Sequence, residues 1–203
     1  MTVSFCLFVL EKQIAMQKTL LAIALAAAST AWAQQPTEKP EGFLCCNMRS
    51  AGGWISDINY EVEGERIIPL GTLLKVTGYG FHRAHVLIDG KKHSIGNDYS
   101  RSLPLNVFIQ RYVIPTNPQE KLAQFPPHIQ TAIRNSKITK GMTREQVIMS
   151  VGYPVASENP TLDANLWRFW LGSFSEYRVR FDANGLVDRI EADVDIEHKV
   201  IQP

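Results

Sequence analysis

Two adjacent cysteines, Cys45 and Cys46, have the clearest capacity for covalent chemistry in this chain of 203 residues. In an oxidising compartment, adjacent cysteines can form a vicinal disulfide, bond to a partner chain or stay reduced. The sequence places no further ligands beside them at the spacing of a zinc site, and no Cys-His-Asx order indicates a thiol enzyme. We therefore expect a structural or oxidised pair, with a Cys45–Cys46 disulfide as one of its states.

Three histidines are the next candidates, because imidazole is a common zinc ligand. His82 and His85 lie in a segment predicted to be extended, where their spacing directs the two side chains to opposite faces. His93 is predicted to lie in a turn. The histidines are therefore expected to be solvated or hydrogen-bonded, and no metal site is predicted.

The acidic residues do not form a readable catalytic pair. Near the C-terminus they alternate in sequence, which predicts a charged strand face that discourages pairing with other sheets; these residues are Asp193, Asp195 and Glu197. The sequence contains no G-x-S-x-G, Walker or dinucleotide-binding motif. We expect a protein without enzymatic activity and without a cofactor.

A polar and aromatic segment, residues 96–101, lies between two apolar runs, and such loops often carry binding residues. Tyrosine and arginine are frequent interface anchors because they combine a large contact area with hydrogen bonding. Together with the preceding hairpin, the segment predicts a partner-binding surface, whose candidate residues are Tyr79, Phe81, Arg83, Tyr99 and Arg101. The alternative is that residues 96–101 form an ordinary turn.

These residues need a folded chain to position them. The composition is that of a globular protein, with 45% hydrophobic, 20% charged and 9% aromatic residues. It excludes a disordered tail, a collagen-like chain and a membrane protein with several spans. Lysine and arginine together number 21, and aspartate and glutamate number 20, so the formal net charge is +1. This balance carries no electrostatic signature of nucleic-acid binding.

Residues 1–33 are predicted to lie outside the folded protein, as an upstream extension followed by a cleaved signal peptide. Residues 16–33 combine Lys18, a short apolar stretch and the sequence Ala31-Trp32-Ala33, which is the pattern of a cleavable secretory signal. The apolar stretch is too short to cross a bilayer, which takes about 20 residues. Because Met16 begins a well-formed signal, residues 1–15 are interpreted as an upstream extension. We expect a periplasmic or outer-membrane-associated protein with no transmembrane helix of its own after cleavage.

The exported part is predicted to begin with a flexible leader at residues 34–43, followed by a β-rich block at residues 44–115. The block has β-type runs, separated by turn signals, at residues 54–60, 72–79, 84–88 and 108–114. Short strands at this spacing predict a small β-barrel or roll, and the segment IPLGTLLKVTGYG looks like the entry to an SH3-like barrel. Residues 116–135 are predicted to be a proline-rich connector with a short helix that begins at Pro127.

Residues 136–203 are predicted to form an α+β unit, so the whole chain is assigned to the α+β class. Thr143 and Gln146 form a capping box at the start of a helix, which Gly152 and Pro154 terminate. Three strands follow, and two short helices on an antiparallel three-stranded sheet are the natural assembly. The predicted buried strand faces carry Trp167, Phe169, Leu171, Tyr177, Val179 and Phe181.

The same unit resembles the SmpA/OmlA family over roughly residues 136–192. The shared pattern is Gly-Met-Thr, a helical Gln-Val pair, a Gly-x-Pro stop, a strand Trp and an F-D-x-N-G hairpin. In this chain these motifs are Gly141, Met142, Thr143, Gln146, Val147, Gly152, Pro154, Trp167, Phe181, Asp182, Asn184 and Gly185. The family includes BamE-like lipoproteins of the outer-membrane assembly machinery. The resemblance therefore implies above all the fold, in which these residues have mainly structural roles. It also implies, as a second step, that the protein acts in the cell envelope.

These features predict an exported cell-envelope protein that acts as a protein-docking or scaffold module. Its expected partners are envelope proteins, including the outer-membrane assembly machinery, or peptidoglycan, and it would support outer-membrane protein assembly or envelope integrity. Two alternatives stay open. One is a soluble periplasmic inhibitor of an envelope hydrolase, and the other is a peptidoglycan-binding module that uses the SH3-like block.

Overall fold

The computed structural model describes residues 39–203, which contain eleven strands and five helices. The predicted signal, the start at Met16 and the first residues of the predicted leader lie outside the described residues. Within residues 39–203, no helix is long and apolar enough to cross a membrane. The mixed α+β class predicted from the sequence is confirmed.

A curled six-stranded sheet dominates the first half, in the order β3-β7-β6-β5-β1-β8. All neighbouring strands in it are antiparallel except β3 and β7. Its strands are β1 (Glu41–Leu44), β3 (Trp54–Ser56), β5 (Leu73–Tyr79), β6 (Arg83–Ile88), β7 (Lys91–Gly96) and β8 (Val113–Ile114). A separate ribbon pairs β2 (Met48–Ser50) with β4 (Arg66–Ile68). Alternation explains the sheet: Leu74 and Val76 point into the core while Leu73, Lys75 and Thr77 are exposed.

Three sequence predictions in this half differ from the structure. The predicted strand at residues 108–114 starts within helix α1 (Leu105–Gln110), where Phe108 and Ile109 are buried, and only its last two residues form a strand, β8. The predicted turn at His93 is strand β7, in which the His93 ring is buried and lies 3.3 Å from the Arg66 guanidinium. Residues 41–43, which were predicted to belong to the leader, are part of β1, which begins at Glu41 and pairs with β5.

The second half packs helices against the sheet β11-β10-β9. Its elements are α2 (Pro118–Leu122), α3 (Pro127–Arg134), α4 (Arg144–Val151), β9 (Leu166–Gly172), β10 (Ser175–Phe181), β11 (Val187–Ala192) and α5 (Val194–Val200). The capping box is confirmed: the Gln146 N–H donates to Thr143 Oγ1 at 3.3 Å, and the Thr143 N–H donates to Gln146 Oε1 at 2.8 Å. Gly152 ends α4 with a φ of +85°, a conformation that glycine adopts at little cost.

The inner face of the three-stranded sheet holds the predicted apolar residues. Trp167 contacts Phe181 edge-on at 4.9 Å between ring centroids, and Phe169 stacks on Tyr177 at 5.2 Å. Asp182 closes the hairpin by accepting hydrogen bonds from the N–H groups of Asn184 and Leu186, and these bonds lower its pKa. In this sheet Trp167 and Phe181 are core residues, and Asp182 is a turn residue.

The predicted acidic strand at the C-terminus is wrong. Asp193 precedes α5, and Asp195 and Glu197 lie in the first turn of that helix. Carboxylates are favourable there because the N-terminus of a helix carries a partial positive charge. Local alternation of charge was therefore a misleading signal for a strand.

Two asparagines, the buried Asn47 and the half-buried Asn59, join the halves into one compact unit. The Asn47 amide donates to the Ile133 carbonyl at 2.6 Å, and its oxygen accepts from the Leu70 N–H at 2.9 Å. Asn59 donates to the Val151 carbonyl at 2.9 Å. Polar groups buried at such a junction fix the relative position of the two halves, since breaking one bond leaves an unsatisfied group.

Candidate functional site

Two phenylalanines at hairpin tips are almost fully exposed. Phe81, between β5 and β6, is 91% exposed, and Phe174, between β9 and β10, is 96% exposed. A single exposed apolar residue needs no explanation, but a group of them on one surface indicates an interaction site. The position of the two tips relative to each other therefore decides whether they have a common role.

Contacts between aromatic and polar groups link the two tips. The Asn97 N–H donates to the His82 carbonyl next to Phe81 at 2.7 Å. Two residues further along, the Tyr99 ring lies 6.1 Å from the Tyr60 ring. The Tyr60 side chain in turn forms a hydrogen bond with Ser173, beside Phe174, and partial burial raises its pKa. We call Tyr60, Phe81, Tyr99 and Phe174 the aromatic rim.

Asp57 holds the loop that carries Tyr99. Its buried carboxylate accepts hydrogen bonds from the N–H groups of Tyr99, at 3.1 Å, and Ser100, at 2.6 Å. Burial raises the pKa of Asp57, while these two hydrogen bonds oppose the rise. Ser100 Oγ accepts from the Ala156 N–H at 3.0 Å, which ties the same loop to the second half. The rim is therefore preorganised by a buried acid.

Arg83 supports the rim from inside the protein. Its Nη1 donates to Asp98 at 2.7 and 3.0 Å, and its Nη2 donates to the carbonyls of Ile55, at 2.6 Å, and Ser94, at 3.0 Å. Its Nε donates to Ser94 Oγ at 3.1 Å. The guanidinium also lies over the Trp54 ring at 4.6 Å. Since each of its three nitrogens donates to a group of the protein itself, Arg83 positions this end of the sheet.

The five predicted binding residues therefore occupy different places. Phe81 and Tyr99 belong to the rim, and Arg101 is exposed two residues after Tyr99. Tyr79 packs partly buried against the core of the six-stranded sheet, so it is a supporting residue. Sequence reasoning missed Tyr60 and Phe174. A phenylalanine in the turn Gly172-Ser173-Phe174-Ser175 was the available signal, since turns favour small polar residues.

The outer face of the three-stranded sheet is a second surface with a distinct character. Glu176 lies 2.5 Å from Arg178 and 3.3 Å from Arg168, and Glu191 lies 2.6 Å from Arg180. Arg180 lowers the pKa of Glu191 through its hydrogen bond and its charge. Each carboxylate is shared between two arginines, since Arg189 also contacts Glu191 at 3.2 Å. This face is a solvated network of ion pairs.

The remaining candidate groups lie away from the rim. The structure pairs the sulfur atoms of Cys45 and Cys46, and both residues are buried. Oxidation of this pair stays a prediction. Within residues 39–203, no group of three or more His, Cys, Asp or Glu side chains is placed to hold a metal ion.

Comparison with known protein families, with curated proteins and with solved structures finds no match for this chain.

Proposed function

We propose that this protein is an exported, non-enzymatic docking module of the bacterial cell envelope, which binds a partner protein through the aromatic rim. The single observation that carries the proposal is the exposure of Phe81 and Phe174 at two tips connected by Tyr99 and Tyr60. Large aromatic side chains grouped on one surface are the residues that most often dominate the energy of protein interfaces.

Burial of these tips supplies part of the energy that specific binding needs. Removing a phenylalanine side chain from water contributes about 1.5–3 kcal/mol. The two tips together therefore contribute about 3–6 kcal/mol, which works against the entropy lost on association, and further contacts around them must supply the rest of the affinity. The rim is held by Asp57 and by the Arg83–Asp98 pair, so little further ordering is needed when a partner binds.

The predicted signal at residues 16–33 and the resemblance to the SmpA/OmlA family support the cellular location of the proposal. Both features are typical of proteins that act in the bacterial envelope. Support of outer-membrane protein assembly or of envelope integrity is the role that we propose for the docking event. Three of the four rim residues would then be an addition to the α+β unit, and Phe174 would be the contribution of that unit itself, from the turn between β9 and β10.

Site-specific photo-crosslinking in intact envelopes tests this proposal. The photoreactive residue p-benzoylphenylalanine replaces Phe81 or Phe174, and a matched control carries it at Asp89, in the hairpin at the other end of β6. We expect positions 81 and 174 to capture the same envelope protein and position 89 to capture none. Crosslinks to lipid alone, or to different proteins at the two tips, would contradict docking of one partner by the rim.

A second candidate function is inhibition of an envelope hydrolase by the outer face of the three-stranded sheet. The paired arginines and glutamates of that face favour it, because such a network can exchange its ion pairs for those of a partner. A screen of envelope hydrolases with wild-type protein and with the double variant Arg178→Ala/Arg180→Ala separates the two functions. Inhibition that the double variant loses, and that Phe81→Ala and Phe174→Ala keep, would favour the sheet face.

The remaining alternative is that the protein binds peptidoglycan through the curled sheet, which we interpret as an SH3-like block. Sedimentation of the purified protein with isolated sacculi tests it directly. Sedimentation that persists in Phe81→Ala and Phe174→Ala would show that these two tips are not the surface that binds peptidoglycan.

A further inference from the structure

A cavity of about 510 Å³ lies between the two halves of the protein. Its apolar lining comes from both halves: Cys45 and Ile114 from the first, and Ile148, Met149 and Tyr153 from the second. Ile148 packs against the cores of both halves. Cavities of 300–1,000 Å³ with a mainly apolar lining are typical of small-molecule sites, and junctions of this kind are common places for them.

The mouth of the cavity is acidic. The Lys121 ammonium contacts both oxygens of Glu145, at 2.6 and 2.5 Å, and is largely neutralised by this pair. Glu120 stands beside them on α2 and is exposed, with no ion pair to any of residues 39–203. An anionic ligand would meet these carboxylates, so the lining favours an uncharged, apolar molecule.

The two cysteines differ in their access to this cavity. Cys45 is part of its lining, whereas Cys46 is fully buried and its sulfur lies 3.9 Å from the sulfur of Met48. Of the two residues, only Cys45 borders the cavity, so a reagent inside the cavity approaches Cys45 and not Cys46. This asymmetry makes Cys45 the site of attack and Cys46 the leaving group.

We propose that the cavity is a modification site that takes a small apolar thiol and attaches it to Cys45. The thiolate of the ligand forms a new S–S bond to the Cys45 sulfur, and the Cys45–Cys46 bond breaks with its electron pair on the Cys46 sulfur. The Cys46 thiolate then takes up a proton, so that a ligand thiol and a protein disulfide become a mixed disulfide and a protein thiol. The reverse reaction releases the ligand, and no separate oxidant or reductant is needed.

Labelling with one apolar thiol and one charged, polar thiol tests the proposal. The purified protein is treated with hexanethiol or with reduced glutathione, quenched with iodoacetamide under denaturing conditions, and mapped by peptide mass spectrometry. We expect the hexanethiol adduct on Cys45, the iodoacetamide label on Cys46, and a rate at least tenfold higher than with glutathione. Excess hexanol, which occupies an apolar cavity without reacting, should slow the labelling by a similar factor.

The matched variants are Ile148→Trp, which fills the cavity, and Val107→Trp, which adds the same bulk on the exposed side of α1. Labelling should fall at least tenfold in the first and stay unchanged in the second. The hexanol experiment decides the question if Ile148→Trp fails to fold. An adduct on Cys46, equal rates for the two thiols, no effect of hexanol, or free thiols in the untreated denatured protein would each overturn the proposal.

Discussion

The aromatic residues of this protein fall into two groups that share chemistry and differ in environment. Trp167, Phe169 and Phe181 fill the inner face of the three-stranded sheet, whereas Phe81 and Phe174 stand almost fully in water. Burial makes the first group contribute to folding, because each ring is removed from water when the chain folds. The second group contributes nothing comparable until a partner covers it. Stability and binding are thus assigned to different aromatic residues, and they can be changed separately.

The largest expected effect is on stability, from removal of the central ring. Trp167→Ala should lower the free energy of unfolding by about 3–5 kcal/mol, because it leaves a large cavity where Trp167 contacted Phe169 and Phe181. Denaturant unfolding measures the change. Trp167→Phe should cost much less, because it keeps an aromatic ring and removes a buried indole N–H that has no hydrogen-bond partner among residues 39–203. Equal losses in both variants would show that ring burial is not the cause.

The next largest effect is on binding, from truncation of the tips. Phe81→Ala and Phe174→Ala should each weaken binding of the captured partner by about 1.5–3 kcal/mol, because each removes a ring that only the complex buries. Both should leave the unfolding free energy within about 0.5 kcal/mol of wild type. Titration calorimetry and denaturant unfolding give the two numbers.

Leu73→Ala is the matched control for the tips, since Leu73 is exposed on β5 and lies outside the rim. It should change neither binding nor stability appreciably. Weaker binding in this control would mean that general surface hydrophobicity, rather than the rim, holds the partner.

The elements that the sequence predicted correctly are those with local signals. The capping box at Thr143 and Gln146, the stop at Gly152 and the turn at Asp182 each depend on neighbours within a few residues. Strand β7 escaped prediction because its polar sequence, Lys91 to Gly96, becomes a strand only through pairing with β6 and β3. The pairing register of β7 is set by its neighbours β6 and β3, and its own sequence carries no pattern that predicts it.

The rim was only half predictable for the same reason. Tyr99 and Phe81 stood out in a polar, aromatic segment, but Tyr60 and Phe174 join them from distant parts of the chain. Arg83 looked like a binding residue because its type is common in interfaces. Its five hydrogen bonds inside the protein depend on Ile55, Ser94 and Asp98, and no spacing in the sequence reveals that set.

A smaller effect on both properties is expected from the buried acid beneath the rim. Asp57→Ala should lower the unfolding free energy by about 2 kcal/mol, because it leaves the N–H groups of Tyr99 and Ser100 without their acceptor. Partner binding should weaken as well, since the Tyr99 loop loses its support. Asp195→Ala, in the exposed first turn of α5, should stay within about 0.5 kcal/mol of wild type. Unchanged binding in Asp57→Ala would show that the rim needs no support from this residue.

The smallest expected effect is on the pH dependence of stability, and it isolates the charge of Asp57. Burial raises the pKa of Asp57 above its usual value of 3.8, with a smaller contribution from Asp98. The folded protein therefore takes up a proton at a higher pH than the unfolded chain does. Between the raised pKa and the usual one, the folded state binds more protons, so this group stabilises the fold increasingly as the pH falls.

The comparison that shows this is between wild type and Asp57→Asn, which cannot titrate at this position. The unfolding free energy of wild type, relative to the variant, should rise as the pH is lowered from 7 towards 4. Denaturant unfolding at a series of pH values measures the difference, and all other titrating groups cancel to first order. A difference that falls instead would mean that the N–H donors of Tyr99 and Ser100 stabilise the carboxylate more than burial destabilises it. The loop beneath the rim would then be held by a charge, and it would loosen in acid.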